Sequence, residues 1–393
     1  MIDQTPQIVD MGLNVAKTDV FSKIYPDLNR LILKRGTPVA SRNGKTIEVL
    51  NFKTEILRPS LRCVGGHHRD INIFFLLAEA LWIWSGRKDV GFLTIFNSNM
   101  ANFSDNGETF HAPYGYRLRN WGIESDSKIK KDDSNRHALR GIDQIAETLQ
   151  LMVDEPGTRR AVMSIWNPDL DLNVKSKDLP CNDLVFLQES DNEIHMTISN
   201  RSNDLHWGLP TNVFQFSWIL ETICLILGKK AGTQVHNSKS LHIYTDNEIA
   251  QRMLESTSKS DLYDHCVPMY MDFQFMEQDR ENVRARIHEL DAVVNLILYN
   301  LEGVSKSDKH QYFIPPSSAF LSLVEHVLYI YILYTKSGRK DEDKMVALHR
   351  LDELATVVDF VVLAKNWFIS KIKDQLLRDK ARNQMHNDVL GSL

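Results

Sequence analysis

The pattern of hydrophobic residues changes near residue 275, and this change constrains the fold more than any other feature of the chain. Before it, short segments with strand-like alternation are interspersed with helical segments. After it come long amphipathic helical patterns at 279–302, 317–335 and 342–379. With 393 residues, the chain has room for one large domain and an appendage. We therefore predict an α+β domain over residues 1–270 and an all-helical C-terminal extension over residues 271–393.

The first part of the chain contains enough strand patterns to build a sheet. Strands are predicted at 46–57, 161–166, 183–188, 193–199 and 240–245. Helices are predicted at 69–84, 142–153 and 212–227, and a turn-rich surface loop at 97–112. The segment 69–84 is apolar on nearly all faces, so we expect a buried helix there.

Composition narrows the class of function. Hydrophobic residues make up 43% and charged residues 25% of the chain, as in an ordinary globular protein. A net charge of −5 gives the whole chain no electrostatic attraction for a nucleic-acid polymer. The four cysteines are widely spaced and form no C-x-x-C pair. We therefore expect no metal site, no disulfide framework and a reducing compartment.

The sequence also argues against a membrane location. The N-terminal residues lack the basic and apolar regions of a signal peptide. The apolar run at 319–334 contains Glu325 and His326 and is too short to span a bilayer. We expect a cytoplasmic protein without membrane contacts.

The segment from Cys181 to Asn212 gathers a thiol, cations, a carboxylate and an amide within 32 positions. Pro180 favours an extended or turn conformation just before the cysteine, which would present the thiol at the edge of a strand. A free cysteine is also often a small buried hydrophobe. Cys181 alone therefore does not distinguish a nucleophile from an inert core residue.

A series of motifs in one order resembles the thymidylate synthase family and its pyrimidine hydroxymethylase relatives. The motifs are Arg42-Asn43-Gly44-Lys45-Thr46, Ala78-Glu79-Ala80-Leu81-Trp82, Pro113-Tyr114-Gly115, Ile142-Asp143-Gln144-Ile145, Thr158-Arg159-Arg160, Ser164-Ile165-Trp166-Asn167-Pro168, Leu179-Pro180-Cys181, Arg201-Ser202-Asn203-Asp204, Gly208-Leu209-Pro210-Thr211-Asn212 and His242-Ile243-Tyr244. The resemblance covers roughly residues 25–250. It implies that family's mixed β-sheet core flanked by helices, and an obligate homodimer with shared active sites.

The resemblance also implies a role for each matching residue. The catalytic residues would be Cys181, Glu79, Tyr114 and Asn212. The nucleotide would be held by Arg42, Arg159, Arg160, Arg201, Ser202, Asn212, His242 and Tyr244. In this family Arg159 and Arg160 would reach the phosphate in the neighbouring subunit, and Asp204 would meet the pterin of the folate. The Cys181 thiolate would add to carbon 6 of the pyrimidine, so that carbon 5 attacks a one-carbon unit from 5,10-methylenetetrahydrofolate.

Several of these residues have an alternative, purely structural interpretation. Glu79 lies among apolar residues, where a carboxylate is costly to bury unless it is paired or protonated. It is therefore either a helix-edge residue that faces water or a general acid/base with a raised pKa. Arg159 and Arg160 also suit a solvated turn, Tyr114 a core aromatic, and Asp204 a turn cap. The match to the family motifs favours the functional interpretation in each case.

Two features point to the base and to the product. An asparagine at position 212 suits the N3–H and O4 of uracil, whereas relatives that act on dCMP carry aspartate there, as the resemblance implies. Synthases place a tryptophan in the loop at 97–103, where it shields an exocyclic methylene intermediate from water. Here the aligned residue is Asn99 or Ala101, so water is expected to reach the intermediate. We therefore predict 5-hydroxymethyl-dUMP as the product, an activity known from phages that replace thymine in their DNA.

Other departures from the family pattern leave rival hypotheses open. Asn182, Asn200 and Asp246 replace a histidine, a glutamine and an asparagine that synthases commonly have. The C-terminal residues 388–393 do not resemble the tail that closes over the folate. The rivals are a thymidylate synthase, a dCMP hydroxymethylase and a nucleotide-binding scaffold without turnover. The C-terminal helices are expected to pack on the domain, to cover the folate site, to extend the dimer interface or to recruit a protein partner.

Overall fold

One mixed β-sheet forms the centre of the part of the chain that the computed structural model describes. That part comprises residues 8–10, 14–41, 44–65, 71–123, 141–246, 248–255, 261–279, 282–307, 317–354 and 357–386. The strands are β1 (Ile8–Asp10), β2 (Val15–Thr18), β3 (Thr37–Ser41), β4 (Gly44–Ile56), β5 (Val162–Ser164), β6 (Asn182–Ser190), β7 (Glu193–Asn200), β8 (Asn203–Asp204) and β9 (Lys230–Tyr244). Their order is β1-β2-β4-β9-β7-β6-β5, with β3 paired to β4 and β8 paired to β9. The β2–β4, β7–β9 and β8–β9 pairs are parallel and the others are antiparallel, so the predicted mixed sheet is confirmed.

Helices cover the sheet and fill the C-terminal part. Those in the first part are α1 (Phe21–Arg35), α2 (Ile73–Trp84), α3 (Val90–Phe96), α4 (Tyr114–Arg119), α5 (Gln144–Asp154), α6 (Pro168–Asp171), α7 (Leu209–Leu227) and α8 (Glu248–Glu255). Those that follow are α9 (Val283–Lys306), α10 (Ala319–Ser337), α11 (Asp341–Glu353), α12 (Asp359–Lys371) and α13 (Gln375–His386). The α+β class and the helical C-terminal extension are both confirmed.

Some predicted elements differ from the structure, and short elements such as β1, β2, β3 and α8 were not predicted. The strand predicted at 240–245 is only the end of β9, which is 15 residues long. The single helix predicted at 342–379 is three helices. The loop at 97–112 contains a 3₁₀ helix, Ser98–Phe103. No helix was predicted for α1, which contains Pro26, a residue that normally interrupts helices.

Helices α2 and α7 lie in the middle of the molecule. Both are apolar almost all round, so each needs a covering layer on two sides. Strands β7 and β9 of the sheet lie against α7, and α7 lies against α2. Helices α9, α10 and α12 of the C-terminal extension contact α2, and α9 also contacts α7. Phe74 of α2 stacks on Tyr331 of α10 with ring centroids 4.5 Å apart, and Trp218 of α7 meets Phe320 of α10 at 4.9 Å. Burial of each such ring contributes about 2 kcal/mol. Of the described helices, α7 is long and apolar enough to span a membrane, and most of it is buried inside the protein.

The segment around residue 270 is tied to the extension by backbone contacts. Val267 forms a parallel bridge with Val358, which precedes α12. The Asp272 carboxylate accepts hydrogen bonds from the backbone N–H groups of Ala319 and Phe320, at 3.1 and 2.8 Å, where α10 begins. The extension therefore packs directly on the sheet-bearing part, and a division at 270/271 stays a prediction.

Candidate active site

The candidate site lies where β6 begins and β7 ends. These strands are antiparallel, and Asn182 is opposite Asn200, so Cys181 and Arg201 flank the ends of neighbouring strands. The backbone N–H of Arg201 donates to the carbonyl of Cys181 at 3.0 Å. The tight hairpin that joins the strands brings together two residues 20 positions apart in sequence.

The thiol of Cys181 is half-buried and lies beside a fixed cation. Its Sγ is 3.9 Å from Nη2 of Arg201. The guanidinium is held by the loop itself, because Nε donates to the carbonyl of Pro180 at 2.7 Å and Nη2 to that of Leu179 at 3.3 Å. It also lies 5.7 Å from the ring centroid of Trp166. A positive charge at this position favours the thiolate, the form that acts as a nucleophile.

Tyr114 approaches the same loop from the first turn of α4. Its hydroxyl oxygen accepts a hydrogen bond from the backbone N–H of Cys181 at 3.3 Å. Burial and the neighbouring Cys181 raise the pKa of this tyrosine, so the hydroxyl stays protonated. The close approach depends on Gly115, where a Cβ atom would lie 2.0 Å from the carbonyl oxygen of Ile83 at the end of α2.

Glu79 projects from α2 as a partly buried carboxyl group. Burial raises the pKa of Glu79 to about 7, although the hydrogen bond from Gln215 acts in the opposite direction. That bond runs from Nε2 of Gln215 to Oε2 of Glu79 at 2.8 Å, and the same nitrogen donates to the carbonyl of Leu76 at 3.0 Å. A carboxyl group with this pKa can both donate and accept a proton near neutral pH, as an acid/base role requires.

Asn212 lies in the first turn of α7 within a row of buried amides. Its Oδ1 accepts a hydrogen bond from Nδ2 of Asn182, and its Nδ2 donates to Oδ1 of Asn203, both at 3.2 Å. Asn182 in turn accepts from Nδ2 of Asn200. All four side chains are buried, with at most 8% of the surface of any one exposed. Asn212, which the sequence predicts to recognise the base, is therefore one member of a connected set of amides.

His242 and Tyr244 lie near the end of β9, with rings perpendicular and 5.4 Å apart. His242 pairs with Asp204 in the short parallel β8–β9 ladder. Both oxygens of the Asp204 carboxylate accept backbone N–H groups, from His206 at 3.1 Å and from Trp207 at 2.9 Å. Asp204 thus caps the turn before α7, and this contact also fixes the carboxylate beside Trp207, which is 58% exposed.

The other residues predicted for the site lie on further segments of the chain. Arg159 and Arg160 are exposed on the turn between α5 and β5, and Arg160 pairs with Glu155 at 2.5 Å. Asn99 and Ala101 are exposed on the 3₁₀ helix Ser98–Phe103. Ser202 is half-buried next to Arg201. Arg42 and residues 388–393 lie outside the described residues.

Two residues near the site were missed as participants. Gln215 was not considered, although it follows Asn212 by three positions and therefore lies on the same face of α7. Asn203 appeared only as part of a motif, and its contact with Asn212 depends on the turn that precedes α7. Spacing within the helix would have identified the first residue; no local pattern identifies the second.

Comparison with known proteins agrees with this geometry. The family model for thymidylate synthase matches residues 23–267. Deoxyuridylate hydroxymethyltransferase of Bacillus phage SP01 is 33% identical over 293 residues, which cover 73% of this chain and 74% of that protein. The proteins of the same name from Pseudomonas phage M6 and Delftia phage PhiW-14 are 32% and 25% identical, over 61% and 58% of this chain. The chain spans 64% and 62% of the length of those two relatives.

The match of residues 23–267 to the family model and the 33% identity to the phage SP01 protein define the class of protein. The chain belongs to the thymidylate synthase family. The predicted family membership is confirmed.

Proposed function

We propose that the protein transfers a one-carbon unit from 5,10-methylenetetrahydrofolate to carbon 5 of dUMP and releases 5-hydroxymethyl-dUMP. Membership of the thymidylate synthase family supports folate-dependent transfer to dUMP. The names of the three phage relatives support hydroxymethylation as the outcome. The observation that carries the chemistry is the Cys181 thiol, 3.9 Å from Nη2 of Arg201.

The first step is addition of the Cys181 sulfur to carbon 6 of the pyrimidine. The ring electron pair moves to carbon 5, which then attacks the one-carbon unit that the folate supplies. Arg201 stabilises the thiolate before the attack. Among the described residues no side chain or carbonyl engages its Nη1, which is available for the 5′-phosphate together with Ser202 and Arg42.

The second step removes the proton from carbon 5 and breaks the bond between the methylene carbon and the folate nitrogen, so that tetrahydrofolate leaves and an exocyclic methylene group remains on carbon 5. Tyr114 assists this step by hydrogen bonding, because burial keeps its hydroxyl protonated. Glu79 exchanges a proton through ordered water near the base, as its pKa of about 7 allows. Asp204 and the exposed ring of Trp207 suit a planar pterin that carries N–H donors, and His242 and Tyr244 bind the ribose hydroxyls.

Water then completes the reaction in place of hydride. Water adds to the methylene carbon, a proton is released, and the Cys181 thiolate leaves carbon 6. The short helix Ser98–Phe103 contains no tryptophan, and both Asn99 and Ala101 are exposed on it. Small polar and apolar side chains at this point support access of water to the intermediate.

The protein acts as a homodimer in this proposal, and each site receives Arg159 and Arg160 from the partner subunit. Exposure of both arginines supports this role, because they are available to reach outside their own chain. Val162 and Phe186 are directly opposite each other on β5 and β6, and each is 38% exposed. An exposed apolar cross-strand pair on the sheet suits an interface between subunits.

The phage sources of the relatives support action in the cytoplasm of an infected host cell. The partners would be dUMP and the reduced folate, with no nucleic-acid polymer and no membrane. The C-terminal helices offer a surface for a further protein partner.

A labelling assay tests the product and the route together. The protein is incubated with dUMP or dCMP and 5,10-methylenetetrahydrofolate in H₂¹⁸O, and the nucleotide product is weighed by mass spectrometry. We expect 5-hydroxymethyl-dUMP that carries ¹⁸O, no change in dihydrofolate absorbance, and at least about a 1,000-fold lower rate in Cys181→Ser. A methylated product formed together with dihydrofolate would make the protein a thymidylate synthase. A product from dCMP alone would make it a dCMP hydroxymethylase.

A further inference from the structure

The amides around Asn212 form a row in which every hydrogen bond runs the same way. Nδ2 of Asn200 donates to Oδ1 of Asn182, and Nδ2 of Asn182 donates to Oδ1 of Asn212. Nδ2 of Asn212 donates to Oδ1 of Asn203, whose Nδ2 donates to Oγ of Ser238 at 3.2 Å. Five side chains from β6, β7, β8, α7 and β9 are thus connected head to tail.

Burial makes the row cooperative. Asn182 is 0% exposed, and Asn200, Asn203 and Ser238 are each 1% exposed. A buried amide group that loses its partner bears a desolvation penalty. The carboxamide of Asn212 therefore cannot turn over alone, because its oxygen would then face the oxygen of Asn203 and its nitrogen that of Asn182. Asn182 and Asn203 would have to turn over as well.

The orientation of Asn212 decides which base it suits. With one hydrogen of Nδ2 and one lone pair of Oδ1 used in the row, one donor and one acceptor remain for a ligand. Uracil offers an N3–H donor beside an O4 acceptor, whereas cytosine offers an N3 acceptor beside an N4 amino donor. The two bases thus require opposite orientations of the same carboxamide.

We propose that Asn182 is a specificity-determining, positioning residue, which sets the preference for a uracil over a cytosine nucleotide by fixing the orientation of Asn212. This inference rests on the proposed function, in which Asn212 reads the base. Asn182 acts from the row and does not itself contact the base. A single substitution of Asn182 should therefore reverse the preference between uracil and cytosine nucleotides, although Asn212 itself is not substituted.

Aspartate substitutions on the two sides of Asn212 test the proposal. A carboxylate only accepts hydrogen bonds. In Asn182→Asp, the new carboxylate would still accept the hydrogen bond from Asn200. It cannot donate to Asn212, so the carboxamide of Asn212 would have to turn over and point its nitrogen towards residue 182. Asn203→Asp would accept from Asn212 in its present orientation and from the hydroxyl of Ser238. The second variant is a matched control with the same added charge and the same burial.

The measurement is the dissociation constant for dUMP and for dCMP, by equilibrium dialysis at pH 8.5, where the introduced carboxyl group is ionised. In Asn182→Asp we expect dUMP binding to weaken about 100-fold and dCMP to become the preferred ligand. In Asn203→Asp the dUMP preference should stay within about 3-fold of the wild-type value, since no hydrogen bond changes direction. Equal shifts in both variants, or no gain in dCMP binding by Asn182→Asp, would overturn the proposal.

A third variant covers the case in which Asn182→Asp does not fold. Asn182→Leu removes the hydrogen bond to Asn212 without imposing the opposite orientation, so the dUMP preference should fall towards equal binding of the two nucleotides. An unchanged preference in Asn182→Leu would contradict the proposal. Binding also separates this test from that of the proposed function: a wild-type protein that prefers dUMP but forms no hydroxymethylated product would refute the function and leave the role of Asn182 intact.

Discussion

Two glutamates in different regions of the molecule are held in the same way. Glu79 lies on α2 beside the candidate active site, and Glu325 lies on α10 in the C-terminal extension. Burial raises the pKa of each to about 7, and each accepts one hydrogen bond from a side-chain amide, of Gln215 and Asn300 respectively. By these criteria the two carboxyl groups cannot be distinguished.

Their surroundings differ. Glu79 is partly exposed, and Gln215, which binds it, lies one turn along α7 from Asn212. Glu325 is 0% exposed, and among the described residues its Oε2 has no hydrogen-bond partner. A raised pKa marks a functional residue only where a ligand can reach it. We therefore propose a catalytic role for Glu79 and a purely structural one for Glu325.

The largest effect is expected on kcat, when Glu79 is replaced by a residue that cannot ionise. Glu79→Gln keeps the acceptor for Gln215 but cannot exchange a proton, so kcat should fall about 1,000-fold. The wild-type pH–rate profile should show an inflection near the Glu79 pKa of about 7, and the variant should lack it. Steady-state kinetics from pH 5 to 9 measure both. Glu325→Gln is the matched control and should keep the wild-type rate and profile; a similar loss in both variants would contradict the assignment.

A smaller effect is expected on the pH dependence of stability, and it should appear when Glu325 is substituted. The pKa of Glu325 is about 7 in the folded protein and 4.5 in the unfolded chain. Its protonated side chain therefore contributes fully to the stability of the fold below pH 4.5, and this contribution is lost as the pH rises through about 7. The loss amounts to at most about 3 kcal/mol. Glu325→Gln lacks this loss, so it should match the wild type at pH 4.5 and exceed it at pH 9 in the free energy of unfolding by urea.

The same measurement on Glu79→Gln sharpens the comparison. Burial raises the pKa of Glu79 to about 7 as well, so Glu79→Gln should show a gain at pH 9 of similar size to that of Glu325→Gln. The absence of a gain in Glu79→Gln would show that the pKa of Glu79 is not raised and would contradict its proposed acid/base role.

Sequence motifs located the Cys181–Arg201 pair because that part of the site is local. The strands predicted at 183–188 and 193–199 are joined by Asp191 and Asn192, which both have positive φ angles, of 52° and 65°. This is the backbone of a tight hairpin turn, and it places the residues that flank the strands side by side. Hydrophobic periodicity likewise predicted α2, α7 and the helical extension, since both signals act over short stretches of sequence.

The remaining parts of the site depend on contacts between distant residues. Glu79 and Gln215 are 136 positions apart, and Asn203 meets Ser238 across 35 positions. Such contacts are set by how α7 packs between the sheet and α2, which no local pattern encodes. The position of the extension has the same origin: its amphipathic helices were predicted, but not that they cover the apolar faces of α2 and α7.

The smallest expected effect is a loss of stability on substitution of a residue in α10, one of the extension helices that contact α2. The hydroxyl of Tyr331 on α10 donates to the carbonyl of Phe96 at the end of α3, at 3.2 Å and out of contact with solvent. Tyr331→Phe removes this bond and keeps the ring that stacks on Phe74, so the free energy of unfolding should fall by about 1 kcal/mol. Because the bond lies on the side of α2 that faces the extension, kcat and the dUMP preference should not change. A Tyr331→Phe variant of normal stability but reduced kcat would show instead that the C-terminal extension affects the active site directly. In that case a residue of the extension, such as Glu325, could also influence catalysis.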